Sequence, residues 1–164
     1  MKHILRTILL AAVASLFLSS CGNKPLLDET RTFANDTWLR FSSEQFSVTS
    51  TNTDDCYNFT VTLLIDTARY RATSLPLMLE MQSPDRENRT LFTTLILRNH
   101  EGRWMGTFTD DGLLSITHPV RQYYFFNTTG TYTVNLSQRT HYYEIHGIKS
   151  LHFLITKAKL EYPE

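Results

Sequence analysis

Cysteine is scarce in this chain of 164 residues, which carries only Cys21 and Cys56. An excess of either charge is missing too, since 16 basic residues stand against 16 acidic ones. That balance removes the electrostatic reason to expect a nucleic-acid partner. No uninterrupted apolar run reaches the roughly 20 residues that a membrane-crossing helix needs. Gly-x-Ser-x-Gly, His-Glu-x-x-His, phosphate-loop and dinucleotide fingerprints are also absent, so no familiar catalytic or nucleotide chemistry is announced. No helical period is sustained after Cys21, and there is neither an internal repeat nor a low-complexity segment.

What is present begins at the amino end. Lys2, His3 and Arg6 lead into an apolar stretch that Leu18-Ser19-Ser20-Cys21 closes. The stretch from Ile4 to Leu18 is short and is interrupted by Arg6, Thr7 and Ser15. A basic start, an apolar centre and small residues before a cysteine predict a bacterial lipoprotein signal peptide over residues 1–20. Cys21 is then the lipidation site and the mature N-terminus, carrying palmitate-type acyl chains. Each chain contributes about 0.8 kcal/mol per buried methylene, so two or three anchor firmly. The membrane, reached through this lipid, is the first expected partner. Loss of Lys2 and Arg6 with the signal leaves 14 basic against 16 acidic residues over 21–164. With Cys21 acylated, Cys56 has no internal disulfide partner. Asp54 and Asp55 beside it oppose a reactive thiolate, so Cys56 is expected to be a packed residue at a strand start.

Residues 21–36 are mixed and polar with no clear period, and read as a lipidated N-terminus and tether. From there on, over 37–164, the period becomes two. Tyr57, Phe59, Val61, Leu63 and Ile65 alternate with Asn58, Thr60 and Thr62, the clearest strand in the sequence. Phe46 and Val48, then Leu75 to Met81, Leu91 to Leu97, Val120 to Phe126, Tyr132 to Leu136, and Leu151 to Ile155 supply further strands. Asn99-His100-Glu101-Gly102 and Asp110-Asp111-Gly112 have turn chemistry, and the latter lacks the full calcium-loop pattern. The expectation is an all-β fold: a single jelly-roll-like β-sandwich of about eight antiparallel strands.

Candidate chemistry is sparse. His141, His146 and His152 lie at spacings of five and six. His141 and His146 would face opposite sides of a strand, so no metal is expected, and no cofactor. Glu80, Glu87, Glu101 and Glu144 are singled out by nothing beside them and read as solvated charges, so an enzyme is not expected. Tyr123-Tyr124-Phe125-Phe126 places rings on both strand faces. One set reads as core; the other reads as an apolar contact patch. An aromatic platform of that kind makes a glycan-binding envelope lipoprotein the alternative function.

Taken in order, Cys21, Trp38, Tyr57, Gly102-Arg103-Trp104-Met105-Gly106, Gly130-Thr131-Tyr132, Leu136, Gln138, Arg139, Gly147-Ile148 and Lys157 form a pattern. It resembles the GldH family, gliding-motility lipoproteins of the Bacteroidetes lineage. The resemblance implies a lipid-anchored, non-enzymatic accessory component of gliding motility or the associated secretion machinery, with other envelope proteins as partners. The motif residues have a mainly structural reading: Gly102, Gly106, Gly130 and Gly147 as turn and close-approach positions, Trp38, Trp104 and Tyr132 as packing, Gln138 and Arg139 as a loop corner, where Arg139 is able to clamp a carboxylate. The family's Tyr-Pro-Tyr segment followed by Asn-Leu is replaced here by Tyr70-Arg71-Ala72-Thr73-Ser74-Leu75, so contacts made there do not carry over. Asp66-Thr67-Ala68 matches the short O-glycosylation pattern of that lineage, with Thr67 the acceptor. Gly22, Asn23 and Lys24 lack the acidic cluster associated with surface export, so the periplasmic face of the outer membrane is the expected location.

Overall fold

The computed structural model describes residues 24–160. The signal segment 1–20 and Cys21 lie outside the described residues. Eleven strands follow one another: β1 (Leu27–Thr32), β2 (Thr37–Leu39), β3 (Ser43–Ser50), β4 (Cys56–Ile65), β5 (Ser74–Gln82), β6 (Asn88–Ile96), β7 (Thr107–Phe108), β8 (Leu114–Phe125), β9 (Gly130–Gln138), β10 (Glu144–His146) and β11 (Ile148–Lys157). Among the described residues the one helical piece is a 3₁₀ turn at Ala34–Asp36.

Two antiparallel sheets form a sandwich. One has the order β1-β11-β4-β8-β7, the other β3-β9-β5-β6, and a small ribbon pairs β10 with β2. Eight strands have six residues or more; β2, β7 and β10 are the short additions. The long strands pair as nested sets: β1 with β11, β3 with β9, β4 with β8, and β5 with β6. The chain is thus laid down as one long hairpin, rolled so that successive pairs fall in alternate sheets.

Period two explains which side chains meet. On β4, Tyr57, Phe59, Val61, Leu63 and Ile65 are buried, while Asn58, Thr60, Thr62 and Leu64 are half-exposed. Leu151, Phe153 and Ile155 on β11 lie beside them in register. The opposite sheet contributes Phe46, Val48, Leu75, Leu77, Leu79, Val134 and Leu136. A cluster of rings closes one end, where Phe126 touches Tyr57, Phe59, Tyr124 and Tyr132 at centroid distances of 5.4, 6.1, 5.1 and 4.8 Å. The quartet Tyr123 to Phe126 therefore splits as alternation demands: Tyr124 and Phe126 are buried, Tyr123 and Phe125 exposed. Register shifts in the β4–β8 pairing put Tyr123 at φ +53°, and its N–H is satisfied by the side-chain oxygen of Asn58 at 3.0 Å.

The tether read over 21–36 is corrected in its second half. Leu27–Thr32 is strand β1, paired with β11 over six residues, and the sandwich starts there rather than at 37. An edge strand with one sheet neighbour buries little, and here only Leu27 of its six residues is buried. Its sequence therefore carries almost no apolar alternation.

Candidate functional site

The motif residues do not converge. Trp38 on β2 is fully buried, stacks on Phe33 with centroids 4.8 Å apart, and donates its indole N–H to the Ser42 carbonyl at 3.2 Å. Gly147 lies next to this corner, its N–H bound to the Asp36 carbonyl at 2.8 Å. Tyr132 and Gly130 begin β9, where the Tyr132 hydroxyl accepts from the Thr128 N–H and donates to the Thr128 carbonyl, tying the β8–β9 turn. Gly102 turns the β6–β7 connection at φ +80°, and the Arg98 guanidinium lies 3.6 Å over the Trp104 ring. Gly106 packs against the Ser115 carbonyl with no room for a side chain. Gln138 is fully buried; its carbonyl oxygen accepts from the Thr140 N–H and hydroxyl at 2.9 and 2.7 Å, while its Nε2 has no partner among the described residues. Arg139 holds no carboxylate among the described residues and instead directs Nε and Nη2 to the Met78 sulfur at 3.3 and 2.9 Å. Thr67 sits half-buried in the turn after β4, where Asp66 accepts from the Ala68 N–H.

The titratable groups are dispersed. His146 bonds Thr37 and His152 bonds Asp28, on separate elements. Among the described residues no three His, Cys, Asp or Glu side chains gather as metal ligands would. Cys56 is buried at the start of β4, with its sulfur 3.6 Å from the Ala158 carbonyl. His118 on β8 bridges the sandwich to Thr93 on β6 at 2.9 Å, and burial lowers its pKa below the ordinary 6.5. Burial raises the Glu44 carboxyl, partly opposed by Arg31. Asp55 is held low, first by its hydrogen bond from Lys157 and then by Asn52.

Three surface features remain. A slot of about 220 Å³ opens between the sheets, with Phe59, Leu79, Leu91 and Tyr124 inside it and Arg89 and Arg121 alongside. A second cavity, about 250 Å³, lies where Arg69, Tyr70 and Arg71 face Tyr142, Glu144 and His146; it includes part of the stretch that departs from the family pattern. The largest, about 380 Å³, is a groove over the outer face of β3-β9-β5-β6. Pairing aligns Gln45, Asn135, Glu80 and Thr90 as one row across all four strands, and Ser47, Thr133, Gln82 and Asn88 as the next. The sequence shows these residues as the polar half of each alternation; their alignment in rows depends on strand register, which no sequence pattern displays. At the end of the β2–β10 ribbon, Leu39 of β2 and the flanking Phe41, Tyr142 and Tyr143 are exposed, with Phe41 and Tyr143 ring centroids 6.0 Å apart.

A two-sheet antiparallel sandwich with a closed aromatic core and open polar and aromatic surfaces defines a β-sandwich domain. The chain belongs to the GldH lipoprotein family, whose profile matches residues 26–155. The match spans β1, in accord with the corrected domain start. It makes the protein a membrane-anchored envelope lipoprotein of gliding-motility context. No described helix is long and apolar enough to cross a membrane. No curated protein matches the chain. Among solved structures it is similar to a mutant of Xylanase10C from Cellvibrio japonicus in complex with xylopentaose, at 11% identity and a TM-score of 0.36. That similarity covers 86% of this chain and 26% of the other, so the chain spans about a quarter of that protein's length.

Proposed function

We propose that this protein is a non-enzymatic accessory component of gliding motility or of the associated secretion machinery. It is held by acylated Cys21 at the periplasmic face of the outer membrane and presents contact surfaces to other envelope proteins. The observation that carries the reading is the exposed pair of rings, Phe41 and Tyr143, at the end of the β2–β10 ribbon. Phe41 is 78% and Tyr143 64% exposed, and their neighbours in sequence, Leu39 and Tyr142, are exposed as well. Large rings gathered on a surface are the composition of a protein contact patch. A lipid anchor confines such a patch to the membrane plane and raises its effective concentration for membrane-bound partners.

The test separates anchor from patch. Cys21→Ser is expected to release the protein from the membrane fraction and to abolish gliding or secretion in the host. Phe41→Ala combined with Tyr143→Ala is expected to leave fractionation intact while removing crosslinks to envelope proteins. A host lacking the gene altogether that still glides, secretes and keeps its envelope intact contradicts the proposal.

A further inference from the structure

We propose that the groove over the outer face of β3-β9-β5-β6 binds a short, uncharged oligosaccharide. The row Gln45, Asn135, Glu80 and Thr90 crosses four strands in register. Adjacent strands lie about 4.8 Å apart, so the row is about 14 Å long, more than one sugar ring. Amides, hydroxyls and a carboxylate supply donors and acceptors side by side, which is what vicinal sugar hydroxyls require of a site. Among the described residues these four side chains have no hydrogen bond to another protein group; only the Gln45 backbone carbonyl is engaged, accepting from Arg31 at 2.9 Å, so the side chains are open to solvent or a ligand.

Charge narrows the ligand. Glu80 is the one charged side chain lining the groove, and neither Lys nor Arg lines it. A phosphate, sulfate or uronate would meet a carboxylate and no countercharge there. A surface selected only for solubility normally mixes Lys, Arg, Asp and Glu; this groove carries a single carboxylate, no cation, and is amide-rich. The row on the other side, Ser43, Ser137, Met78 and Phe92, brings Phe92, 69% exposed, beside Thr90, offering a ring for the apolar face of a sugar. A peptide is a poorer occupant, because extended peptides add to sheet edges and not across the middle of a face.

The site stands independently of the machinery the chain serves. The full-length lipidated chain, extracted in a detergent without a sugar headgroup, is titrated calorimetrically with short β-1,4-linked oligomers of glucose, xylose, mannose and N-acetylglucosamine. An oligogalacturonate serves as the charged control. At least one neutral oligomer is expected to bind saturably, and more tightly than the control. Glu80→Ala and the pair Gln45→Ala with Asn135→Ala are each expected to weaken that binding about tenfold or more. Phe92→Ala is expected to weaken it as well. Thermal melts of the variants are expected to match the parent, since these side chains are outside the core. The proposal is overturned by no neutral binding at millimolar sugar, by binding that survives the groove variants, or by tighter binding of the galacturonate. None of those results affects membrane anchoring or gliding, so failure here leaves the proposed envelope role standing.

Discussion

Gly147 shows how one missing side chain fixes a corner of the fold. It sits at φ +89°, and a Cβ there would lie 2.7 Å from the Asp66 carbonyl oxygen and from the Tyr70 amide nitrogen. Both neighbours are backbone and are themselves hydrogen-bonded to each other, so neither moves cheaply. Gly102 has a similar φ of +80° but open space around it. Gly147→Ala is therefore expected to cost about 1–3 kcal/mol or more, strain and clash together. Gly102→Ala is expected to cost only the left-handed strain, roughly 1–2 kcal/mol. Urea titration of the two variants checks the order, and equal costs would remove the close approach as the reason for the glycine at 147. The aromatic quartet offers a second contrast. Phe126→Ala empties the centre of the ring cluster and is expected to cost about 3–5 kcal/mol. Phe125→Ala, one residue away on the exposed face, is expected to stay within about 0.5 kcal/mol of the parent.

Strands differ in how much of themselves they write into sequence. β4 is flanked by β11 and β8 and faces the core, so every second residue from Tyr57 to Ile65 is apolar and buried. It is legible without a structure. β1 lies at the sheet edge, and Asp28, Glu29, Thr30, Arg31 and Thr32 leave Leu27 as its one buried residue. Six polar-rich residues shortly after Cys21 look like a tether because the hydrogen bonds to β11 that make them a strand involve backbone, which sequence does not display. The same limit hides the groove. Gln45, Glu80, Thr90 and Asn135 are each visible as polar residues, but their common row is a property of three separate registers. The correction at β1 has a measurable consequence. A chain beginning at Thr37 loses all six β1–β11 pairs and uncovers the β11 edge. It is expected to be destabilised by at least the roughly 1.5–3 kcal/mol of Leu27 burial and to self-associate through the bare strand. A chain beginning at Lys24 is expected to melt cooperatively as a monomer in calorimetry and sedimentation. Equal behaviour of the two would return residues 27–32 to the tether.

At the scale of the molecule, nested pairing joins distant parts of the chain, with Leu27 opposite Ile155. Such contacts form only after long loops close, which places folding in the millisecond-to-second range of β-sandwiches. The closed core also sets the pH range over which the fold holds. Tyr57, Tyr70 and Tyr124 all have phenol pKa values raised above the ordinary 10.0, chiefly by burial. Tyr70 also donates its hydroxyl to the Ser74 carbonyl at 2.9 Å, a bond that ionisation would abolish. The unfolded chain ionises its tyrosines near pH 10 while the folded chain keeps the proton, so this stability is complete below pH 10 and is lost as pH rises above it. On the acid side the sign reverses. His118, lowered by burial, and Asp55, lowered first by Lys157, contribute stability that is present above 6.5 and 3.8 respectively and lost as pH falls. The urea midpoint is therefore expected to be level from about pH 7 to pH 10 and to fall on both sides. In a variant with the exposed Tyr123, Tyr142 and Tyr143, together with Tyr162, replaced by Phe, tyrosinate absorbance is expected to rise together with loss of β-structure at the alkaline end. Tyr70→Phe removes one of the three linked phenols and is expected to make the alkaline decline shallower, even though it sacrifices the bond to Ser74 near neutrality. In the variant lacking Tyr123, Tyr142, Tyr143 and Tyr162, a tyrosinate signal that appears near pH 10 while the sheets stay folded would mean that the buried tyrosines are reached by water, and the closed core argued from Phe126 outward would have to be opened.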